Sequence, residues 1–247
     1  VSVDPVVLEP IADRAWPARE RSALGGWRLN AADGWSMRSN ACWPLATPDR
    51  DVEAAIVATE AWFLARDLPP RFKLTDGATE PADLAEHLAR RGYVDRKKTL
   101  VMVGSAVGLA DPDVTMFAAP DASFEAVFTA SAGGNLADAR ERLETLARIP
   151  PPARFARLDV EGQPAALGAS AVEGEWAGVF GMRTAPDHRR KGLARRVLRA
   201  LLAEVAALGV SRAYLQVEAD NAPAIALYEL EGFQAAYSYR YWLRPEA

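Results

Sequence analysis

Residues 182–198 read Met182-Arg183-Thr184-Ala185-Pro186-Asp187-His188-Arg189-Arg190-Lys191-Gly192-Leu193-Ala194-Arg195-Arg196-Val197-Leu198. The stretch reads as a strand running out through Arg183-Thr184-Ala185-Pro186 into a basic turn that opens a helix. That helix is predicted over 190–208, because Leu193, Val197, Leu198, Leu201, Leu202, Val205 and Leu208 fall on one side and Gly209 closes it. Unpaired amides at a helix start point outward together and the helix dipole favours negative charge there. Gly192 and Ala194 take away side chains that would hold an anion off the backbone. Arg189, Arg190, Lys191, Arg195 and Arg196 surround the turn. Exposed cations at a helix N-terminus oppose the dipole at a cost of up to roughly 0.3–1 kcal/mol each, so a run of them points to a bound anion rather than a solvated basic face. A pyrophosphate suits the charge pattern. The Gly-Lys-Ser/Thr ending of a Walker loop is absent and the glycine spacing is not the Rossmann one.

Upstream, three strands at Arg154–Val160, Ala165–Val172 and Trp176–Arg183 form an antiparallel meander, preceded by a strand at Val114–Ala118 and helical sequence over 122–147 split at Gly133-Gly134. Downstream come a strand at Arg212–Val217, a helix at Pro223–Leu230, a stop at Gly232 and a strand at Phe233–Trp242. Earlier still, the pattern predicts a helix over 6–14, strands at Trp27–Asn30 and Ser36–Trp43 turning at Asp33-Gly34, and a helix over 51–66. A strand at Phe72–Thr75, a Pro-led helix over 81–91 and a strand over 93–103 follow, and Gly104–Pro112 reads as a linker. The succession of strand, Pro-led helix, Gly-aromatic and long strand therefore occurs twice, at 72–103 and 212–242.

The chain has 247 residues, half of them hydrophobic, with a formal net charge of -4. That allows one large or two smaller domains and a sizeable core, and it gives no overall field for nucleic acid or an anionic membrane. The one basic cluster sits at a single helix start without interleaved aromatics, against a nucleic-acid module. One cysteine, Cys42, forms no internal disulfide, so a cytoplasmic location is expected. With two distant histidines, His87 and His188, no metal site of the His/Cys type is expected. Val1–Pro10 lacks the basic start and apolar run of a signal peptide, and no apolar stretch reaches membrane-span length.

Two motifs carry a resemblance to the GCN5-related N-acetyltransferases (GNAT superfamily). The first, Gln/Arg-x-x-Gly-x-Gly/Ala, appears as Arg189-x-x-Gly192-x-Ala194. The second is the Asn-led, Ala-rich helix ending in Leu-Tyr and Gly-Phe, here Asn221 to Phe233 with Leu227-Tyr228 and Gly232-Phe233. The resemblance covers residues 113–247 and implies an α/β (α+β) fold, a mixed, mostly antiparallel sheet flanked by helices. It further implies acetyl-CoA as co-substrate, bound between two splayed strands at Trp176–Arg183 and Arg212–Val217. By the same resemblance, backbone at Met182, Arg183 and Thr184 pairs with the pantetheine arm. Arg189 and the amides from Arg190 through Lys191, Gly192, Leu193 and Ala194 to Arg195 hold the pyrophosphate, and Asn221 lies near the pantetheine. Tyr228 is the acid that protonates the departing thiolate.

The expected activity is transfer of an acetyl group to a primary amine of a small molecule or peptide by direct attack on the thioester. A longer acyl group, or a CoA-binding sensor or scaffold without turnover, are the alternatives. Some relatives carry a glutamate twelve residues before the tyrosine as a base, and this chain has Gln216 there. Glu218, Glu173 and Glu175 are the nearby carboxylates in sequence, each also readable as a solvated charge. An α-amine, with a pKa of ~7.7–8.0, needs far less help than a lysine-like amine at ~10.4. Residues 1–110, with five of the seven tryptophans, match neither motif. They are expected to form a smaller α/β domain resembling a degenerate copy, ahead of the acetyltransferase domain at 113–247. His87 and His188 are read as structural or solvent-facing, and Trp27, Trp35 and Trp43 chiefly as core.

Overall fold

The structure is a computed structural model and describes residues 3–245. Its backbone contacts divide into two compact units, each discontinuous in sequence. The site-bearing unit takes residues 102–217 and 221–235, and the flanking unit takes 3–101, 218–220 and 236–245 of the described residues. Compactness thus cuts the chain inside a strand, ahead of the 104–112 segment that reads as a linker.

The flanking unit runs α1 (Pro5–Arg14), β1 (Glu20–Leu24), β2 (Trp27–Ala31), β3 (Ala41–Pro44), α2 (Val52–Leu64), β4 (Arg71–Thr75) and α3 (Leu84–Arg90). It also takes the first part of β5 (Val94–Ser105) and the last part of the chain's final strand, Gln234–Leu243. That final strand lies between β4 and β5, antiparallel to β4 with Tyr239 opposite Thr75 and Leu243 opposite Arg71. Its core gathers Trp27, Leu29, Ile56, Phe63, Phe72, Leu84, Leu88 and Tyr93, the apolar stripes of α2 and α3 against the sheet.

A buried ion pair lies in this unit. Lys73 and Glu9, neither with any exposed side-chain surface, meet directly. Glu9 also accepts from Tyr237 Oη at 2.9 Å and Thr75 Oγ1 at 3.2 Å, and the ammonium lies 3.8 Å from the Trp43 ring centroid and 4.0 Å from that of Tyr239. The aromatic faces and hydroxyls replace the hydration both charges lose.

The site-bearing unit continues with β6 (Val114–Phe117), α4 (Ala122–Ser131), α5 (Leu136–Ala147), β7 (Ala153–Val160), β8 (Gln163–Glu173) and β9 (Trp176–Thr184). Then come α6 (Leu193–Ala207), β10 (Arg212–Glu218), α7 (Ala222–Leu230) and the start of β11 (Gln234–Leu243). Strands β6 to β9 form the expected antiparallel meander, while β10 joins β9 in parallel. The architecture is the expected α/β one, mostly antiparallel strands with helices against them.

Two sequence expectations are corrected and one strand carried no prediction. The strand over Ser36–Trp43 is only Ala41–Pro44, preceded by a 3-10 turn at Met37–Ser39. Asn40 causes this: its Oδ1 accepts from the amides of Ala32 and Gly34 and its Nδ2 donates to the Ser36 carbonyl, stabilising a loop. Strand β1 has no periodic signal, because all its residues but Leu24 are exposed. Helix α6 starts at Leu193 instead of residue 190, since Arg190 (φ 60°) and Gly192 (φ 78°) both stand in the left-handed region.

Candidate active site

Strands β9 and β10 are paired only from Trp176–Val179 against Arg212–Leu215. Beyond that they separate. The parting begins where β9 bulges: Phe180 pairs with Ala169 but Arg183 with Leu167, and Gly181 between them adopts φ 61°. At Gly181 the backbone runs close to Leu146 and Phe128, where a side chain has little room.

The parted strands open a cleft of about 700 Å3, within the range of small-molecule sites. Of the residues expected at the site, Met182, Arg183, Thr184, Arg189, Arg190, Gly192, Leu193, Ala194, Arg195, Asn221 and Tyr228 line it. Lys191 does not; it is exposed. Ser131, His188, Pro223, Ala224 and Leu227 line it as well. Ser131 ends α4 and carried no sequence signal. His188 is half-buried, not solvent-facing as read from sequence, and its Nδ1 is buried without a hydrogen-bond partner.

The basic turn separates into two kinds of cation. Arg196 is held by Asp111 at 2.6 and 2.8 Å and by Asp113 at 2.6 Å, and Arg195 is held by Glu231. The hydrogen bonds from Arg196 draw the Asp111 carboxyl below its ordinary range. Arg189, Arg190 and Lys191 have no carboxylate within 4 Å among the described residues. Helix α6 begins at a left-handed Gly192 with no side-chain cap, so its first-turn amides are free for a ligand. A Cβ on Gly192 would have no protein atom within 4 Å and would project into open space. Unspent amides, uncompensated cations and a bare backbone together suit an anion such as a phosphate.

Across the cleft, Asn221 caps α7 by accepting from the Ala224 amide at 3.3 Å. Seven residues on, Tyr228 is 8 % exposed and packs edge-on against Phe233 at 6.2 Å. Burial pushes its hydroxyl up to about 12, with the Arg183 charge pulling the other way. The phenol therefore keeps its proton throughout the neutral range. Among the described residues no aspartate or glutamate lines the cleft. Glu218 is exposed and paired with Lys97 at 3.6 Å, and Glu175 is paired with Arg212 at 3.4 Å.

Among the described residues no helix is long and apolar enough to cross a membrane, and no group of three or more His, Cys, Asp or Glu side chains is arranged to hold a metal.

Comparison with known proteins agrees with this architecture. The family described as "Probable histone acetyltransferase Rv0428c C-terminal" matches residues 6–242, spanning segments of both compact units. The Mycobacterium tuberculosis (strain ATCC 25618 / H37Rv) protein described as probable histone acetyltransferase Rv0428c is 30% identical over 251 residues, covering 95% of this chain and 72% of that one. The [ribosomal protein bS18]-alanine N-acetyltransferase of Escherichia coli (strain K12) is 40% identical over 80 residues, 32% of this chain and 54% of that one. A solved GCN5-related N-acetyltransferase from Kribbella flavida superposes with a TM-score of 0.71 at 17% identity, covering 100% of this chain and 97% of that one, which establishes likeness of fold. Motifs, parted strands and relatives converge: the chain belongs to the GCN5-related N-acetyltransferases, in the family of the Rv0428c C-terminal region, and is an acyltransferase enzyme.

Proposed function

We propose that this enzyme transfers an acetyl group from acetyl-CoA to a primary amine of low pKa, on a small molecule or a peptide N-terminus. The observation that carries the reading is the cleft itself, with free cations at one end, a protonated tyrosine on its wall and no carboxylate in its lining. Members of this superfamily use acetyl-CoA in general, and the groups present suit it. Arg189, Arg190 and the amides from Gly192 to Arg195 would hold the phosphates, and backbone at Met182 to Thr184 the pantetheine. Once bound, acetyl-CoA supplies the activated thioester. Lys191 faces solvent and would add long-range attraction only.

Tyr228 would act as a hydrogen-bond donor that keeps its proton until a thiolate needs one. No carboxylate stands in the lining among the described residues and His188 is its one imidazole, which favours an acceptor that needs little help to lose its proton. At pH 7 deprotonating a lysine-like amine costs about 4 to 5 kcal/mol, against about 1 kcal/mol for an α-amine. The relative described as a bS18-alanine N-acetyltransferase, named for an alanine acceptor, is in keeping with an α-amine acceptor. The same missing carboxylate favours a second reading, a CoA-binding sensor without turnover. The organisation into a Trp-rich domain at 1–110, echoing a GNAT-like unit without its motifs, and an acetyltransferase domain at 113–247 is part of the proposal, as is a cytoplasmic setting for the buried, unpaired Cys42.

Thiol release from acetyl-CoA with an amine panel tests the reading. An α-amine should be acetylated with a kcat/KM that levels off above about pH 8, and a lysine-like amine weakly, rising about tenfold per unit from pH 7 to 9. Because Tyr228 holds its proton to about 12, no fall should appear below pH 10. Vigorous, pH-independent acetylation of the lysine-like amine would contradict the low-pKa acceptor, and binding without release for any amine would favour the sensor.

A further inference from the structure

One charge in the cleft is left unexplained by the phosphates. Arg183 lines the cavity together with Tyr228 and Ser131 and is half-buried. Its guanidinium lies 5.2 Å from the Phe128 ring centroid, and its only hydrogen bond among the described residues is a long one, 3.4 Å, to the carbonyl of Met182. No carboxylate stands within 4 Å of it among the described residues. The nearest anion on α5, Asp138, is already bound to Arg142 at 2.8 Å. Burial, and then repulsion from Arg142, hold the Arg183 guanidinium below its ordinary value, with Asp138 and Tyr228 opposing. A cation taken out of water without a partner is unfavourable unless a ligand supplies the counter-charge.

The position of Arg183 says which ligand. Met182, its neighbour on β9, packs into the cluster that includes Val197 and Leu201 of α6, the helix whose start carries the phosphate cradle. Successive strand residues face opposite ways, so Arg183 faces the other side of the sheet, where Phe128 of α4 receives it. Resting on the acetyltransferase reading above, we propose that Arg183 is the specificity residue that recognises a carboxylate on the acceptor, so that preferred substrates are amines carrying a carboxylate close to the amino group. A planar guanidinium over an aromatic face keeps its remaining N–H groups available as a fork for a carboxylate.

The test uses the full chain, acetyl-CoA, and two pairs of dipeptide amides whose α-amines have similar pKa values: Glu-Ala against Gln-Ala, and Ala-Glu against Ala-Gln. At least one acidic member should exceed its neutral isostere about tenfold in kcat/KM, mainly through KM. Arg183→Met should bring that ratio to about one, Arg183→Lys should keep part of it, and the melting temperature of Arg183→Met should not fall, because a guanidinium serving only the fold would be missed. The dissociation constant for acetyl-CoA, measured by calorimetry, should move less than about threefold, since the side chain is not among the groups assigned to the phosphates. Equal kcat/KM within both pairs in the wild type overturns the proposal whatever the variants do. So does an Arg183→Met that weakens acetyl-CoA while keeping the acid preference, which would make Arg183 a cofactor residue. If the wild type fails to bind acetyl-CoA at all, the acetyltransferase site itself is refuted and this inference falls with it; binding without acid preference refutes the inference alone.

Discussion

Tyr228 acts through what surrounds it. Packed on Phe233 and pushed up to about 12, its hydroxyl is a poor proton donor to water, and under the proposed function it would donate to a developing thiolate. Tyr228→Phe keeps the ring contact and removes only the hydroxyl. It should lower kcat about 100-fold, at the low end of general-acid effects, and shift acetyl-CoA affinity little. Steady-state thiol release beside a calorimetric titration separates the two, and an unchanged kcat would remove Tyr228 from the acid role. The residue was legible in the sequence because it sits seven positions after Asn221 in a recognisable run. Arg183 was legible only as a backbone position; that its side chain has no carboxylate partner among the described residues depends on Phe128, Asp138 and Arg142, which are 41 to 55 residues away in sequence.

At the scale of the element, the start of α6 divides its charges by their partners. Arg196 serves the fold through Asp111 and Asp113, and Arg195 through Glu231, while Arg189 and Arg190 line the cleft without a carboxylate. Arg189→Ala and Arg190→Ala should therefore each weaken acetyl-CoA about tenfold, near the 1.5 kcal/mol of one charge-assisted hydrogen bond. Arg196→Ala should leave affinity within about twofold and cost at most about 1 kcal/mol of stability, as exposed pairs do. Calorimetry with each variant decides, and equal losses at all three positions would contradict the division. From sequence the five cations around this turn were alike, because a carboxylate partner such as Asp111, 85 residues from Arg196, leaves no local trace. Helices and meander strands were readable from periodicity. Strand β1 was not, since its exposed residues do not alternate, and the Asn40 loop replaced a strand whose residues suit either state.

At the scale of the molecule, each compact unit is assembled from distant pieces of chain. In the flanking unit the last strand of the sequence lies between β4 and β5, a pairing that no local pattern encodes, although the repeated succession of elements at 72–103 and 212–242 did mark the strands involved. Its buried pair, Glu9 with Lys73, ties α1 to β4 within that unit. Lys73→Met should strand a buried carboxylate and cost about 3–5 kcal/mol in urea unfolding, whereas Glu9→Gln combined with Lys73→Met should recover much of that loss. A double variant as unstable as the single one would mean that the pair's packing matters more than its charge.

The central claim is that the turn from Arg189 to Arg195, opening α6, is a phosphate cradle for acetyl-CoA. A calorimetric titration of the wild type and of Gly192→Glu tests it most directly. Gly192 is left-handed and its missing side chain faces open space, so a glutamate there would be strained and would set a negative charge where the phosphates belong. The wild type should bind acetyl-CoA and the folded variant should show no measurable binding. Undiminished binding by Gly192→Glu, or none by the wild type, would contradict the account.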